Sequence, residues 1–571
     1  MTSDRSNITT EREFIHAKHH KGIFLSRKLI KSGLIVSIMT LISRVLGLVR
    51  DVVIANVMGA GAMADVFLFA NKIPNFFRRL FAEGAFAQAF VPVLSEYHTK
   101  DEVNAQNQYD NKKNNQLSNQ DVTLEDSLKE TRRLIAQVSG TLGVIITLVT
   151  LFGMLASPLF VILFGGGWFV DWLNNGSDSV GGEKFELAAD LLKITFPYLW
   201  FISFTALAGA VLNTMGRFAV AAFTPVLLNI AIILMAIYGA DYTQSPAHAL
   251  AWGVFLGGLV QFLFQMPFLY KAGVLVKPCW SWHSNGVIKI RKLIIPALFG
   301  VSVTQINLLL DTLIASFLIT GSISWLYYAD RLLEFPLGLF GIGIATVVLP
   351  SLAKLHSKND PKQFTATLDW GIKVISLFGW PALAGLMVLA QPIIMVLFMR
   401  GEFSQTDVIQ VSMALFAYLS GLLSFMFIKV LAPGYYARQD TKTPVKIGIK
   451  AMVANMAFNL MLAPFFGYVG LAIATTLSAT LNAWLLYRGL KQAQIYHLSS
   501  HTKVFIGKLM LAASVMALVV YQLSPDFDAW LSMLFFKQIL QLAFCIGAGC
   551  ASYFLVIFLL GVRFSDFTVK S

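Results

Sequence analysis

Hydrophobic positions along this chain fall in long blocks and do not alternate with polar ones. Stretches of about twenty apolar residues, the length that crosses roughly 30 Å of hydrocarbon, recur at 32–56, 63–95, 134–163, 189–213, 219–238, 247–270, 290–318, 322–353, 368–398, 408–434, 443–463, 467–488, 504–523 and 534–561. The pattern predicts an all-α polytopic membrane protein with fourteen transmembrane helices, because helices satisfy their own backbone groups in lipid. Two polar stretches stand apart. Residues 1–31 read as a cytosolic tail, too long and too charged for a secretory leader. The Asn- and Gln-rich stretch Asp101–Asp126 reads as a disordered cytosolic insertion, within a loop taken as 101–128.

Composition narrows the class further. Of 571 residues 56% are hydrophobic and 13% charged, against about 25% charged in soluble domains, which excludes a soluble globular protein. Cys279, Cys545 and Cys550 show no C-x-x-C spacing and no histidine partner, so they read as packing residues without metal or redox chemistry. His16, His19 and His20 lie in the solvated tail. The net charge of +13 would suggest nucleic acid, but its placement says otherwise. Lysine and arginine crowd the tail and then every second loop, around Lys129–Arg133, Arg217, Lys289–Lys292, Lys354–Lys362, Arg438–Lys446 and Arg488–Lys503; Lys184 and Arg400 are the exceptions. Positive charge is retained on the cytosolic side, so both termini are expected in the cytoplasm and no nucleic-acid partner is implied.

The chain also repeats itself. Asp51 and Asp311 lie 260 apart, Phe69-Ala70-Asn71-Lys72 and Tyr328-Ala329-Asp330-Arg331 259 apart, and Val91-Pro92 and Leu349-Pro350 258 apart. Further on, Phe196-Pro197-Tyr198-Leu199 and Phe416-Ala417-Tyr418-Leu419 differ by 220, and Arg217 and Arg438 by 221. The offset drops where the first half carries its longer loops, including Gly165–Asp190. Two six-helix units in the same orientation follow: an N-lobe over 32–271 and a C-lobe over 289–493, with an appended helix pair over 503–562. Parallel repeats about a midplane site are transporter architecture.

Charges inside the membrane segments suggest what is carried. In the first helix Thr40, Ser43, Arg44, Gly47, Arg50 and Asp51 share an arc of about 120° at about 100° per residue. The second places Asp65, Asn71, Lys72, Asn75, Arg78, Arg79 and Glu83 on one face, and its repeat mate, the eighth, places Tyr327, Asp330, Arg331 and Glu334 there. An arginine at mid-bilayer costs about 2.5–3.5 kcal/mol, so the set would cost on the order of 10 kcal/mol against lipid. A shared aqueous cavity removes that cost. Its cationic excess favours a phosphate or diphosphate, whose oxygens suit the guanidinium fork. The appended pair is apolar and nearly uncharged, fitting either a lipid tail or plain packing and dimerisation.

Four blocks, Ser43-Arg44-x-x-Gly47-x-x-Arg50-Asp51, Asn75–Phe86, Tyr327–Pro336 and Leu431–Asp440, make the chain similar to the MurJ (MviN) lipid II flippases of the multidrug, oligosaccharidyl-lipid and polysaccharide exporter superfamily, over about residues 32–562. The resemblance implies transport of the undecaprenyl-diphosphate-linked peptidoglycan precursor lipid II to the outer leaflet of the bacterial cytoplasmic membrane. It also implies cavity roles for Arg44, Arg50, Arg78 and Arg331, with Asp51 and Asp65, and a polyprenyl groove on the last two helices. Membrane lipids and the cell-wall synthesis machinery are the partners it suggests. Cofactors are expected to be none, apart from a candidate sodium ion that the resemblance places at Asp311, Asn455, Asn459, the Leu471 carbonyl and Thr475, with Asn459 standing where a second carboxylate occurs in relatives. A flippase for another lipid-linked oligosaccharide would share the cationic cavity but not these blocks. A multidrug or cation antiporter would show acids unpaired with arginine, whereas here Asp51 follows Arg50 and Asp330 precedes Arg331. An enzyme would need a metal-binding carboxylate cluster or a nucleophile constellation, and the sequence offers neither.

Overall fold

A computed structural model describes residues 35–80, 85–115 and 128–563 of the chain. Helix α1 covers residues 35–58, followed by α2 (Ala62–Phe77), α3 (Ala85–Asn115), α4 (Lys129–Leu155), α5 (Ser157–Phe164), α6 (Gly166–Asn175), α7 (Val180–Thr195), α8 (Pro197–Thr214), α9 (Phe218–Tyr238) and α10 (Pro246–Lys271). The second half comprises α11 (Asn285–Ala315), α12 (Ser322–Pro336), α13 (Gly343–Ser357), α14 (Pro361–Phe398), α15 (Gln405–Leu419), α16 (Leu422–Tyr436), α17 (Lys442–Gln492), α18 (Ser500–Leu523), α19 (Phe527–Ser532) and α20 (Phe535–Leu559). No strand occurs among the described residues.

Proline sets many of the breaks, because it removes a backbone donor and clashes with the preceding turn. Pro197 opens α8 just after α7 ends, and Pro74 and Pro336 sit near the ends of α2 and α12. Beyond each of these last two the backbone widens into π-helical turns, over residues 78–80 and over Leu337–Ile342. Such turns leave main-chain groups loosely held and often mark functional sites. Helix α17 is a hairpin. Gly467 has a positive φ of 57°, and beyond it the chain runs back on itself: Ser478 Oγ donates to the Ala451 carbonyl at 2.7 Å and Asn455 Nδ2 to Thr475 Oγ1 at 3.4 Å.

Among the described residues nine helices are long and apolar enough to span a membrane, or ten when the bent pair α15–α16 counts as one span. The fourteen expected spans are not reached by this measure. Part of the shortfall is physical: α17 holds two arms, and the ions of α1 interrupt its apolar run.

The two halves repeat their packing: α2 lies on α7 as α12 lies on α15, and α8 on α10 as α16 on α17. Buried residues gather into one cluster for the C-lobe, two for the N-lobe, and a fourth where α18 and α20 pack on α14. Helix α11 crosses the boundary. Val287 and Ile290 join the N-lobe cluster of Phe90, Leu94 and Leu134.

The lobes touch tightly near the chain turns after α1, α11 and α14. Glu402 N donates to the Asn56 carbonyl at 3.0 Å. Gly59 and Gly401, both at positive φ, press on each other's segment so closely that a Cβ on Gly401 would collide with the Asn56 carbonyl oxygen. Gly167 N likewise donates to Ser316 Oγ at 2.9 Å.

Two expectations change. Where composition suggests disorder from Asp101, α3 continues helically to Asn115, and residues 116–127 lie outside the described set. The Asp101 carboxylate is buried and accepts from Glu130 N at 3.2 Å and Thr131 N at 2.8 Å, satisfying free donors at the start of α4. Of the cysteines, only Cys545 is a buried packing residue; Cys279 and Cys550 are exposed. The tail histidines fall outside the described residues.

Candidate functional site: a cationic cluster between the lobes

Asp51 on α1 is fully buried and sits at the centre of the cluster. Its Oδ1 accepts from Arg50 Nε (3.0 Å), Arg50 Nη2 (2.7 Å) and Tyr327 Oη (2.9 Å). Its Oδ2 faces Arg331 Nε at 2.6 Å. One carboxylate therefore ties two guanidiniums from opposite lobes, Arg50 through charge-assisted hydrogen bonds and Arg331 through an ion pair. Arg50 is fixed further by Nη1 to Asn229 Oδ1 on α9 (3.1 Å) and Nη2 to Tyr327 Oη (3.2 Å), while Asn229 Nδ2 reaches the Ser43 carbonyl at 3.2 Å. Arg331 donates through Nη2 to Tyr327 Oη at 3.0 Å and through Nη1 to Glu334 at 2.9 Å. Arg331 remains 32% exposed against 15% for Arg50, so it is the more available of the two to a ligand.

The other expected residues surround this centre unevenly. Arg44 is exposed and lies over Gly338 in the π-helical stretch, where a Cβ would collide with Arg44 Nη1. Arg78 Nε donates to Asn75 Oδ1 at 3.0 Å, Asn75 Nδ2 holds the Asn71 carbonyl at 2.9 Å, and Arg79 Nη1 reaches Gln305 at 3.4 Å on α11. Glu83 lies outside the described residues. The described parts of α1, α2 with residues 78–80, and α12 hold six cations, Arg44, Arg50, Lys72, Arg78, Arg79 and Arg331, against four carboxylates, Asp51, Asp65, Asp330 and Glu334.

One pairing read from the sequence is corrected. Arg331 pairs with Asp51 and Glu334, not with its neighbour Asp330. Asp65 stands apart from the cluster around Asp51. It is buried, accepts from Gly321 N (2.7 Å), Ser324 N (2.9 Å) and Ser324 Oγ (2.8 Å) at the start of α12, and pairs with Lys184 at 3.3 Å. Lys184 Nζ also donates to Thr320 Oγ1 at 3.0 Å. This node locks α2 and α7 onto the first turn of α12, where an anion is favoured. Sequence reasoning missed Lys184 as a partner, yet its breach of the loop charge alternation was the available signal. Asn229 was also missed, and a lone asparagine in an apolar helix carries little signal.

The candidate ion residues do come together. Asn459 Nδ2 donates to Asp311 Oδ1 at 2.6 Å and to Asn455 Oδ1 at 2.9 Å; Asn455 Nδ2 reaches Thr475 Oγ1, which donates to the Leu471 carbonyl at 3.0 Å. From α2, Lys72 Nζ donates to Thr312 Oγ1 at 3.2 Å, one residue from Asp311. A separate cleft of about 360 Å³ lies at the loop ends of the C-lobe, lined by His356, Asp360, Arg438 and Gln494 among others, and takes no part in either cluster.

A family model described as lipid II flippase MurJ matches residues 54–541. The chain is 59% identical over 544 residues to a probable lipid II flippase MurJ of Vibrio cholerae serotype O1, covering 95% of this chain and 98% of that protein. A solved structure titled lipid II flippase MurJ, inward closed conformation, superposes with a TM-score of 0.72 at 27% identity, covering 92% of this chain and 98% of that one. An inward-facing multidrug resistance MATE transporter of the MOP superfamily superposes at 0.61 with 14% identity, covering 81% and 97%, a likeness of fold alone.

Proposed function

Because this chain belongs to the MurJ family of lipid II flippases, we propose that the Arg50–Asp51–Tyr327–Arg331 cluster holds the diphosphate of lipid II while the head group is carried from the inner to the outer leaflet of the cytoplasmic membrane. The protein is a transporter and not an enzyme; what its residues supply is binding and a change of access. The observation that carries the reading is Asp51, a buried carboxylate shared by arginines from both lobes. It holds the two guanidiniums close enough to form one anion site, and it leaves Arg331 with exposed surface to offer a ligand. An arriving diphosphate replaces water and the Glu334 contact on Arg331, and draws Arg78 and Arg44 inward, since each planar fork can grip two phosphate oxygens. The closed contacts at Asn56–Glu402 and Gly167–Ser316 lie opposite the side on which lysine and arginine crowd the loops. That arrangement fits loading from the cytosol, with both termini on that side. Exposed apolar side chains on α18 and α20, such as Leu518, Phe544 and Phe554, offer the polyprenyl tail a path along the bundle. Delivery at the outer leaflet supplies the peptidoglycan-polymerising machinery. The experiment is depletion of the protein with analysis of lipid-linked precursors: lipid II should accumulate on the cytosolic leaflet, and a variant with Arg50→Ala or Arg331→Ala should insert in the membrane but fail to relieve it. Accumulation of a different lipid-linked glycan, or full rescue by both variants, overturns the reading.

A further inference from the structure

We infer that Lys72 and the Asn459 amide together take the place of a bound cation in the oxygen nest formed by Asp311, Asn455, Leu471 and Thr475, so that this nest is closed to sodium. The nest offers hard oxygen donors of the kind alkali and alkaline-earth ions favour, yet Asp311 Oδ1, Asn455 Oδ1, Thr475 Oγ1 and the Leu471 carbonyl already accept hydrogen bonds, and Asn459 Oδ1 is the buried oxygen left without a partner. Asn459 Nδ2 bridges Asp311 Oδ1 at 2.6 Å and Asn455 Oδ1 at 2.9 Å, which puts two N–H groups where a metal would have to touch both oxygens. The Asn455 amide is turned by its own contact to Thr475 Oγ1, and that hydroxyl is committed to the Leu471 carbonyl. Each member thus fixes the orientation of the next, and the run ends on a carboxylate that can only accept.

Turning the Asn459 amide over would aim its oxygen at a carboxylate oxygen 2.6 Å away, a repulsive contact, and a metal ion between the two would require them to move apart. The charge balance does not call for one. Asp311 is the only carboxylate of the nest, and the ammonium of Lys72, bonded to Thr312 beside it, is an opposite charge that acts on it. Asn455 and Asn459 are each 1% exposed, so a metal added to a neutral pair would leave an uncompensated buried positive charge, which is costly. The nest therefore works as a tethered clasp. Lys72 belongs to the N-lobe and Asp311 and Asn459 to the C-lobe, so the internal cation also ties the lobes together, which a free ion could not do.

The test measures ion binding and does not depend on the flippase reading. Thermal unfolding of the purified full-length protein is followed in sodium, potassium and choline chloride at equal ionic strength. The parent protein should unfold at the same temperature in all three. Asn459→Asp, which replaces the bridging donors with a second carboxylate, should gain a saturable rise of the midpoint in sodium alone. Lys72→Met, which removes the internal cation and leaves the oxygens in place, should gain a weaker sodium response. Adding Asp311→Asn should abolish both gains. A saturable, sodium-specific stabilisation of the parent protein overturns the inference, as does a folded Asn459→Asp protein with no sodium response. Should Asn459→Asp fail to fold, the Lys72→Met arm decides in the same way.

Discussion

Asp51 and Asp311 occupy matching places in the two halves of the repeat, and the two lobes use them in opposite ways. Asp51 gathers charge: two arginines and a tyrosine converge on it, one from its own helix and two from the other lobe. Asp311 sits in a mostly neutral network, gripped by an amide at 2.6 Å. Duplication supplies a carboxylate at the same depth in each half, but its neighbours decide whether the place becomes an anion site or a clasp. Arginine beside Asp51 leaves spare N–H donors to offer a phosphate. Asparagine beside Asp311 spends its donors internally.

Neutralising each acid in turn should separate the two roles most sharply. Asp51→Asn leaves Arg50 and Arg331 facing each other without a shared anion, and the pair should splay apart. Losing charged hydrogen bonds worth about 1.5–3 kcal/mol predicts a roughly ten- to hundredfold fall in transport. Asp311→Asn removes one acceptor from a network that retains other donors and acceptors, and should cost transport less than about threefold. Flipping measured on both variants in reconstituted vesicles checks the contrast; equal losses would erase the distinction between the lobes.

The closed side should respond next. Lys184→Met leaves the Asp65 carboxylate buried with only the donors of α12 around it. Breaking one partner of a buried ion pair costs about 3–5 kcal/mol. Because the node joins α2 and α7 to the start of α12, that cost falls on the state in which this end is shut. Cysteines introduced at Ser322 or Ala60, both buried here, should become reactive toward an impermeant thiol reagent in the Lys184→Met background. Unchanged protection would make the node a local brace and not part of the closure.

Much of this was legible in the sequence. Apolar blocks gave the helices, the offsets near 260 and 220 gave the two lobes, and the polar arcs of α1, α2 and α12 brought Arg50, Asp51, Tyr327 and Arg331 to one place. Partner choice was not legible, for a geometric reason. Adjacent helical residues project about 100° apart, so a neighbouring pair meets only where the longer side chain folds back, as Arg50 does onto Asp51; Arg331 instead reaches across the lobe boundary to Asp51. Asp65 looked like a member of the charged face because it shares that face's spacing; only the approach of α12, more than 250 residues later, turns it into the acceptor at that helix start. The helical stretch beyond Asp101 was hidden because its composition is that of a disordered segment, while the Asp101 contact to α4 depends on how two helices meet.

The smallest expected effect concerns a part of the N-lobe that the C-lobe lacks. Helix α6 sits in the long loop between α5 and α7, whereas the equivalent turn of the C-lobe is only the few residues between α14 and α15. Asp171 joins α6 to α7: its carboxylate accepts from the Asn175 amide at 2.6 Å and from Gly181 N at 2.8 Å. Those hydrogen bonds, the Asn175 contact first, hold the Asp171 pKa below its ordinary value. A carboxyl whose folded pKa is depressed adds stability above its unfolded value of about 3.9, and that stability is lost as pH falls through the lower folded value. Hydrogen exchange at residues 166–182, corrected for the intrinsic rate, should therefore stay slow from neutral pH to about 4 and quicken below it. Asp171→Asn should remove the pH dependence while leaving the cluster around Asp51 unaffected. If exchange around Asp51 quickens together with α6, the added loop is coupled to the transport site and is not an independent embellishment of one half of the repeat.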